Sequence, residues 1–134
     1  MNPYDPETME PNFWLSCMLI EESAMCKQVR SDRESCYLSE SNKTCPDEIL
    51  DTLAKYNAQG RPIWKPMHMQ PLFRMHGFIT REGNGRARTD AYVPGQGVDV
   101  GADIFQRGLC LPSDIKMTVE EQDMIIEIVK SCFM

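Results

Sequence analysis

Hydrophobic and polar positions fall into blocks along this chain. The first block is residues 13–20, FWLSCMLI, an apolar run of eight with acids on either side. A run of that length, rich in rings and too short for a helix, predicts a buried strand. Residues 21–43 are polar and without a period, apart from the short patch Cys36-Tyr37-Leu38, and are expected to form a loop. At Thr44-Cys45-Pro46-Asp47 the pattern changes to a helix start: Thr44 can cap, Asp47 can answer three residues later, and Pro46 suits a first turn. Ile49, Leu50, Leu53, Ala54 and Asn57 then recur at helical spacing, which predicts a helix over 44–58 with Gly60 at its end.

Residues 61–73, RPIWKPMHMQPLF, set three prolines among rings, two cations and a histidine. Proline fixes φ and removes a donor, so this segment is neither a regular helix nor a central strand. It is expected to begin as a short strand, with one helical turn over 70–75. Residues 76–97 hold five glycines and a proline without a sustained period, which predicts a long loop with a hairpin at Asn84-Gly85. A short helix is predicted over 98–107, with Gly108 as its left-handed terminus, then a brief strand over 109–112 closed by Pro112. Thr118-Val119-Glu120-Glu121 is a capping box, and Ile125, Ile128, Val129 and Cys132 form the buried face of a final helix over 118–132. The sum is a small α/β (α+β) sandwich, with helices on one side of a short, mixed sheet.

Composition narrows the class. The 134 residues make one domain, with 42% apolar and 25% charged residues, as in soluble globular proteins. No apolar run reaches the length of a membrane span, and the start MNPYDPETMEPN is acidic rather than signal-like, so a cytoplasmic chain is expected. In that setting the six cysteines read as reduced thiols, most of them buried as small apolar residues. No C-x-x-C pair occurs, and no acid or cysteine has a ligand-like spacing to both His68 and His76, so no metal site is expected. The ten methionines read as adaptable core filler.

The net charge of −6 is unevenly placed. Residues 61–93 carry Arg61, Lys65, Arg74, Arg81, Arg86 and Arg88 against Glu82 and Asp90. A basic island in an acidic chain suits a local anionic ligand and not broad nucleic-acid binding. A solvated loop whose charges do nothing is the equally simple reading. Glu82-Gly83-Asn84-Gly85-Arg86 is not a dinucleotide loop, because it lacks the third glycine and a strong preceding strand. Cys110 and His68 could meet as a nucleophile pair across neighbouring strands, but nothing in their spacing requires it. Lys65, between Trp64 and Pro66, suits a point charge on an anion or a stem covering the tryptophan.

NFWLS (12–16), RPIWKPMHMQPLF (61–73), DIFQRGLCLPSD (103–114) and MTVEEQDMIIEIV (117–129) come in an order that resembles the C-terminal domain of the DegT/StrS sugar aminotransferases. Those enzymes use pyridoxal phosphate to aminate keto-sugars carried on nucleotides. The resemblance implies a linker over 1–11 and a small domain over 12–134, in an aspartate-aminotransferase-like (fold type I) enzyme. It places the cofactor-anchoring lysine and the phosphate cradle in a large domain outside these residues. The cofactor therefore belongs to the full-length enzyme, which is expected to be a homodimer, and the 134 residues alone are expected to be inactive and to hold no cofactor. The implied substrate-side contacts are Arg61, Lys65 and His68, with Trp64 as a packing wall and a nucleotide-sugar diphosphate as the anion. Residues 76–97 run longer than the family's usual loop. The alternative is an autonomous binding module for a phosphorylated ligand or a protein partner. Neither reading involves a membrane or nucleic acid.

Overall fold

The computed structural model describes residues 5–12, 14–31, 34–73, 75–76, 78–79, 86–87 and 99–134. The apolar run of residues 13–20 becomes a strand only at its end, β1 (Cys17–Leu19). Trp14 is exposed, and among the described residues of the run the buried one is Ile20. The correction has a simple cause. Exposure alternates along β1, with Met18 half-buried between exposed Cys17 and Leu19, so one face of the strand is covered and the other is open to solvent.

The segment expected as a loop contains a hairpin: β2 (Lys27–Arg30) pairs antiparallel with β3 (Ser35–Leu38). Its pattern of polar residues hid it, because its stability comes from side chains that reach other elements. Arg30, only 8% exposed, donates from Nε to Asp47 Oδ1 at 2.9 Å and from Nη1 to the Phe105 carbonyl at 2.6 Å. Its guanidinium also lies 5.3 Å from the centre of the Phe105 ring. Tyr37 donates to Asp51 Oδ2 at 3.0 Å, and Gln28 Nε2 donates to the Gln106 carbonyl at 2.5 Å.

Helix α1 (Pro46–Lys55) follows, with Pro46, Ile49 and Leu53 buried. Its N-cap is Cys45 and not Thr44, whose hydroxyl donates instead to Glu48 Oε2 at 2.8 Å. The left-handed residue past its end is Asn57, at φ 57°, so Gly60 is not the terminator. Gly60 serves close approach: a Cβ there would lie 2.6 Å from Leu50 Cδ2 and 3.1 Å from the Cys110 carbonyl oxygen.

Strand β4 (Arg61–Pro62) opens the proline-rich segment as expected. The helical turn falls earlier than expected, as a 3-10 turn at Met67–Met69 behind Pro66, with Met69 buried. Within the expected loop, β5 (Phe78–Ile79) and β6 (Arg86–Ala87) pair antiparallel. Residues 84–85, where the sequence placed the turn, lie outside the described residues.

Helix α2 (Val100–Arg107) leads directly into strand β7 (Gly108–Cys110). Gly108 is extended, at φ −106°, so it does not end the helix in a left-handed conformation. Glycine is needed there because a Cβ would stand 2.5 Å from the Ile104 carbonyl oxygen. β7 is buried throughout and forms the centre of an antiparallel sheet ordered β1-β7-β4, in place of the mixed sheet expected. Helix α3 (Val119–Ser131) has the predicted capping box, with Thr118 and Glu121 each bonded to the other's backbone amide. Ile125 and Ile128 of α3 join Ile20, Ile49, Leu53 and Leu109 in one core, with Val129 and Cys132 packed against it. α1 and α3 are the two longest helices among the described residues, as the pattern predicted.

Arg107 locks the α2–β7 junction. It grips Asp103 from Nε at 2.7 Å and from Nη2 at 2.5 Å, and its Nη1 reaches the Ile20 carbonyl at 2.8 Å. The hydrogen bond and charge of Arg107 hold the Asp103 carboxyl below its ordinary 3.8. A depressed folded-state pKa contributes stability that is present above 3.8 and is lost as pH falls through the folded value. Asp103→Asn should therefore lower the melting temperature at neutral pH, and its gap to wild type should close as pH drops below about 4. Melting curves of both proteins from pH 7 to pH 2 check this. A gap unchanged across that range would mean that packing alone is responsible.

All six cysteines are free. Cys26, Cys45 and Cys110 are buried, Cys132 is half-buried, and Cys17 and Cys36 are exposed, so only half fill the small apolar role expected. No helix among the described residues is long and apolar enough to cross a membrane.

Candidate functional site

The proline-rich segment of residues 61–73 is fastened at its start and at its middle. At its start, Arg61 and Pro62 pair with Cys110 and Leu109 of the central strand. This anchors the backbone of Arg61 while its side chain stays exposed. At its middle, Pro66 lies against α2: a Cβ on Gly101 would be 3.3 Å from Pro66 Cγ. The 3-10 turn then carries His68 toward the start of the same helix. Its Nε2 stands 2.6 Å from Asp99 Oδ2, while Asp99 Oδ1 accepts from the Ala102 amide at 2.9 Å. One carboxylate thus caps α2 and orients an imidazole. The role of Asp99 was not foreseen, because His68 and Asp99 are thirty-one residues apart and a helix start at 98 put the cap elsewhere.

Trp64 is 64% exposed, and its ring centre lies 6.1 Å from that of Trp14, tilted by 37°. Trp14, itself 69% exposed, was expected inside the sheet. The two tryptophans form an aromatic surface reached from solvent beside Lys65. Lys65 is half-buried, and its carbonyl accepts from Gln70 Nε2 at 3.2 Å, which closes the turn around it. The wall role expected for Trp64 therefore has a partner, Trp14, that sequence spacing did not suggest.

Four predicted site residues therefore share one braced segment: Arg61 on β4, Trp64 and Lys65 in the extended link, and His68 in the turn. The remaining cations of the basic island fall differently. Arg74, Arg81 and Arg88 lie outside the described residues, and Arg86 is described by its backbone alone.

The nucleophile pair considered for Cys110 and His68 gives way to other partners. Cys110 Sγ lies 3.5 Å from Cys17 Sγ across the β1–β7 pair, and His68 meets Asp99. Burial pushes the Cys110 thiol up to about 11, which works against a thiolate at neutral pH.

A cofactor-anchoring lysine must be desolvated beside a phosphate cradle and a pyridinium partner. None of Lys27, Lys43, Lys55, Lys65, Lys116 and Lys130 is buried. No chemical step is assigned to them.

No protein-family model matches the chain. Over 103 residues, 77% of its length, the chain is 37% identical to "Putative pyridoxal phosphate-dependent aminotransferase EpsN" of Bacillus subtilis (strain 168). The chain spans 23% of that relative's length. Its sequence is thus similar to part of a pyridoxal phosphate-dependent aminotransferase, and its fold is a mixed α/β unit of a size and construction compatible with a small domain.

Proposed function

We propose that this chain is the small C-terminal domain of a pyridoxal phosphate-dependent sugar aminotransferase of the DegT/StrS type. In this reading it completes the substrate side of the active site for a nucleotide-linked keto-sugar. The observation that carries the reading is the 37% identity to an aminotransferase across 77% of the chain. The braced segment supports the substrate-side role: Arg61 and Lys65 offer cations, and Trp64 with Trp14 offers an aromatic wall. Asp99 holds His68 in a set orientation. A diphosphate calls for fixed cations on a stiff backbone, since less entropy is then lost on binding. The large domain supplies the cofactor, and the full-length enzyme works as a homodimer.

Arg61→Ala and Lys65→Ala in the full-length enzyme test this. Each removes a charge-assisted contact of about 1.5–3 kcal/mol, so the KM for the nucleotide sugar should rise on the order of 10- to 150-fold. Cofactor absorbance should be unchanged, because its anchoring groups lie in the other domain. An unchanged KM with a lowered melting temperature would reduce both residues to a packing role. A stoichiometric covalent adduct between pyridoxal phosphate and Lys65 in the 134-residue chain would overturn the division of labour between the domains.

A further inference from the structure

Two buried thiols and a carboxylate converge where the β2–β3 hairpin meets α1, away from the braced segment. Cys26 immediately precedes β2, Cys45 is the N-cap of α1, and Glu48 stands in the first turn of that helix. The backbone locks the first two together: the Cys26 amide donates to the Thr44 carbonyl at 2.9 Å, and the Thr44 amide donates to the Ala24 carbonyl at 3.0 Å. Cys45 and Glu48 are three apart across the helix start, so they project toward the same side. Cys26 Sγ lies 3.9 Å from Glu48 Oε2, and one ligand atom from each of the three residues falls within 4.8 Å of the other two.

We infer that Cys26, Cys45 and Glu48 form a binding site for a divalent transition metal of the zinc class. A tetrahedral ion with sulfur at about 2.3 Å and carboxylate oxygen at about 2.0–2.2 Å needs its ligand atoms roughly 3.5–3.8 Å apart. The observed cluster reaches that with small rotations of side chains. Two sulfurs and one oxygen suit zinc or cobalt and do not suit calcium or magnesium.

The surroundings fit as well. Cys45 is 0% exposed and Cys26 is 4% exposed, which keeps competing solvent away from the sulfurs. The carboxylate is oriented by two hydroxyl donors, Thr44 Oγ1 on Oε2 at 2.8 Å and Ser39 Oγ on Oε1 at 2.5 Å. Such outer partners set the direction of a metal ligand. Burial pushes the Cys26 thiol up to about 12 and raises that of Cys45 too, against the Glu48 and Asp47 amides that favour a Cys45 thiolate, so an incoming ion has to displace both protons. Binding replaces two S–H bonds by two metal–sulfur bonds and releases two protons, with no electron transferred. The ion ties the hairpin to α1, and three protein donors leave one position for water. Sequence spacing hid the site because Cys26 and Cys45 are nineteen residues apart, with a hairpin between them.

Titration of the reduced chain with cobalt tests this. One equivalent should bind, with sulfur-to-cobalt charge-transfer bands and the intense visible bands of a four-coordinate ion. Cys26→Ser and Cys45→Ser should each abolish that signal. Glu48→Gln should weaken binding about tenfold or more. Cys17→Ser and Cys36→Ser should leave it unchanged. Far-UV circular dichroism shows whether the serine variants fold. If they do not, X-ray absorption on the zinc-loaded wild type still decides, since two sulfurs and lighter atoms are expected in the first shell. Failure to bind one equivalent would overturn the site. So would a signal kept in the Cys26→Ser/Cys45→Ser protein or lost in Cys17→Ser. None of these outcomes depends on aminotransferase activity.

Discussion

Asp47→Ala will lower the unfolding free energy by about 3–5 kcal/mol, the usual result of stripping one partner from a buried ion pair. The side chain of Arg30 is 5% exposed and that of Asp47 is 18% exposed, so neither can turn to water when the other is lost. Asp47 accepts from two nitrogens of Arg30 and from the Ser35 hydroxyl, so its loss orphans donors on both hairpin strands. It also stands in the first turn of α1, where a carboxylate complements the helix dipole by a few tenths of a kcal/mol, too little to account for the whole effect. Arg30→Ala should cost a similar amount, because it also frees the Phe105 carbonyl and leaves that ring uncovered. The double variant Arg30→Ala/Asp47→Ala should cost less than the sum of the two, since it leaves no buried charge alone. Urea unfolding of the four proteins measures the coupling. Additive losses would show that the pair contributes nothing beyond its two side chains.

Leu109→Ala should cost about 2–5 kcal/mol, through lost transfer energy and the cavity left behind. Leu109 is 0% exposed in β7, the strand that joins β1 and β4. It pairs with Met18 on one side and Pro62 on the other, and it packs into the cluster with Ile49, Leu53 and Ile125. Little can collapse into the gap, because β7 is held by strands on both edges and by α2 leading into it. Leu72→Ala is the internal comparison. Leu72 is 76% exposed, and its loss should change stability by no more than about 0.5 kcal/mol. Equal losses at Leu72 and Leu109 would mean that the core has been misplaced. Because β4 hydrogen-bonds to β7, Leu109→Ala should also loosen the anchorage of Arg61, and hydrogen exchange at β4 would report it.

The elements legible along the chain were those whose signals are local. The capping box of Thr118 and Glu121, the apolar face of Ile125 and Ile128, and the stripe of Ile49 and Leu53 each need only neighbours three or four residues away. Pro66 and Pro71 likewise announce irregular backbone wherever they stand. Arg61, Trp64, Lys65 and His68 could be singled out because they lie within eight residues. Their physical setting could not: the partner of Trp64 is Trp14, and the partner of His68 is Asp99.

The sequence by itself determined the two long helices, the short strand before Pro112, the stiffness of residues 61–73 and the kinship with aminotransferases. The tertiary structure decided where the polar segment of residues 21–43 goes. A hairpin held by Arg30 on Asp47 has no apolar period to betray it, because its stabilising contacts lie seventeen and seventy-five residues away. It also decided why Gly108 is glycine, through the approach of Ile104, and that Trp14 lies exposed against Trp64. Cys26 and Cys45 meet for the same reason. Chain folding brings distant groups within a few ångströms, and only the fold as a whole determines which ones.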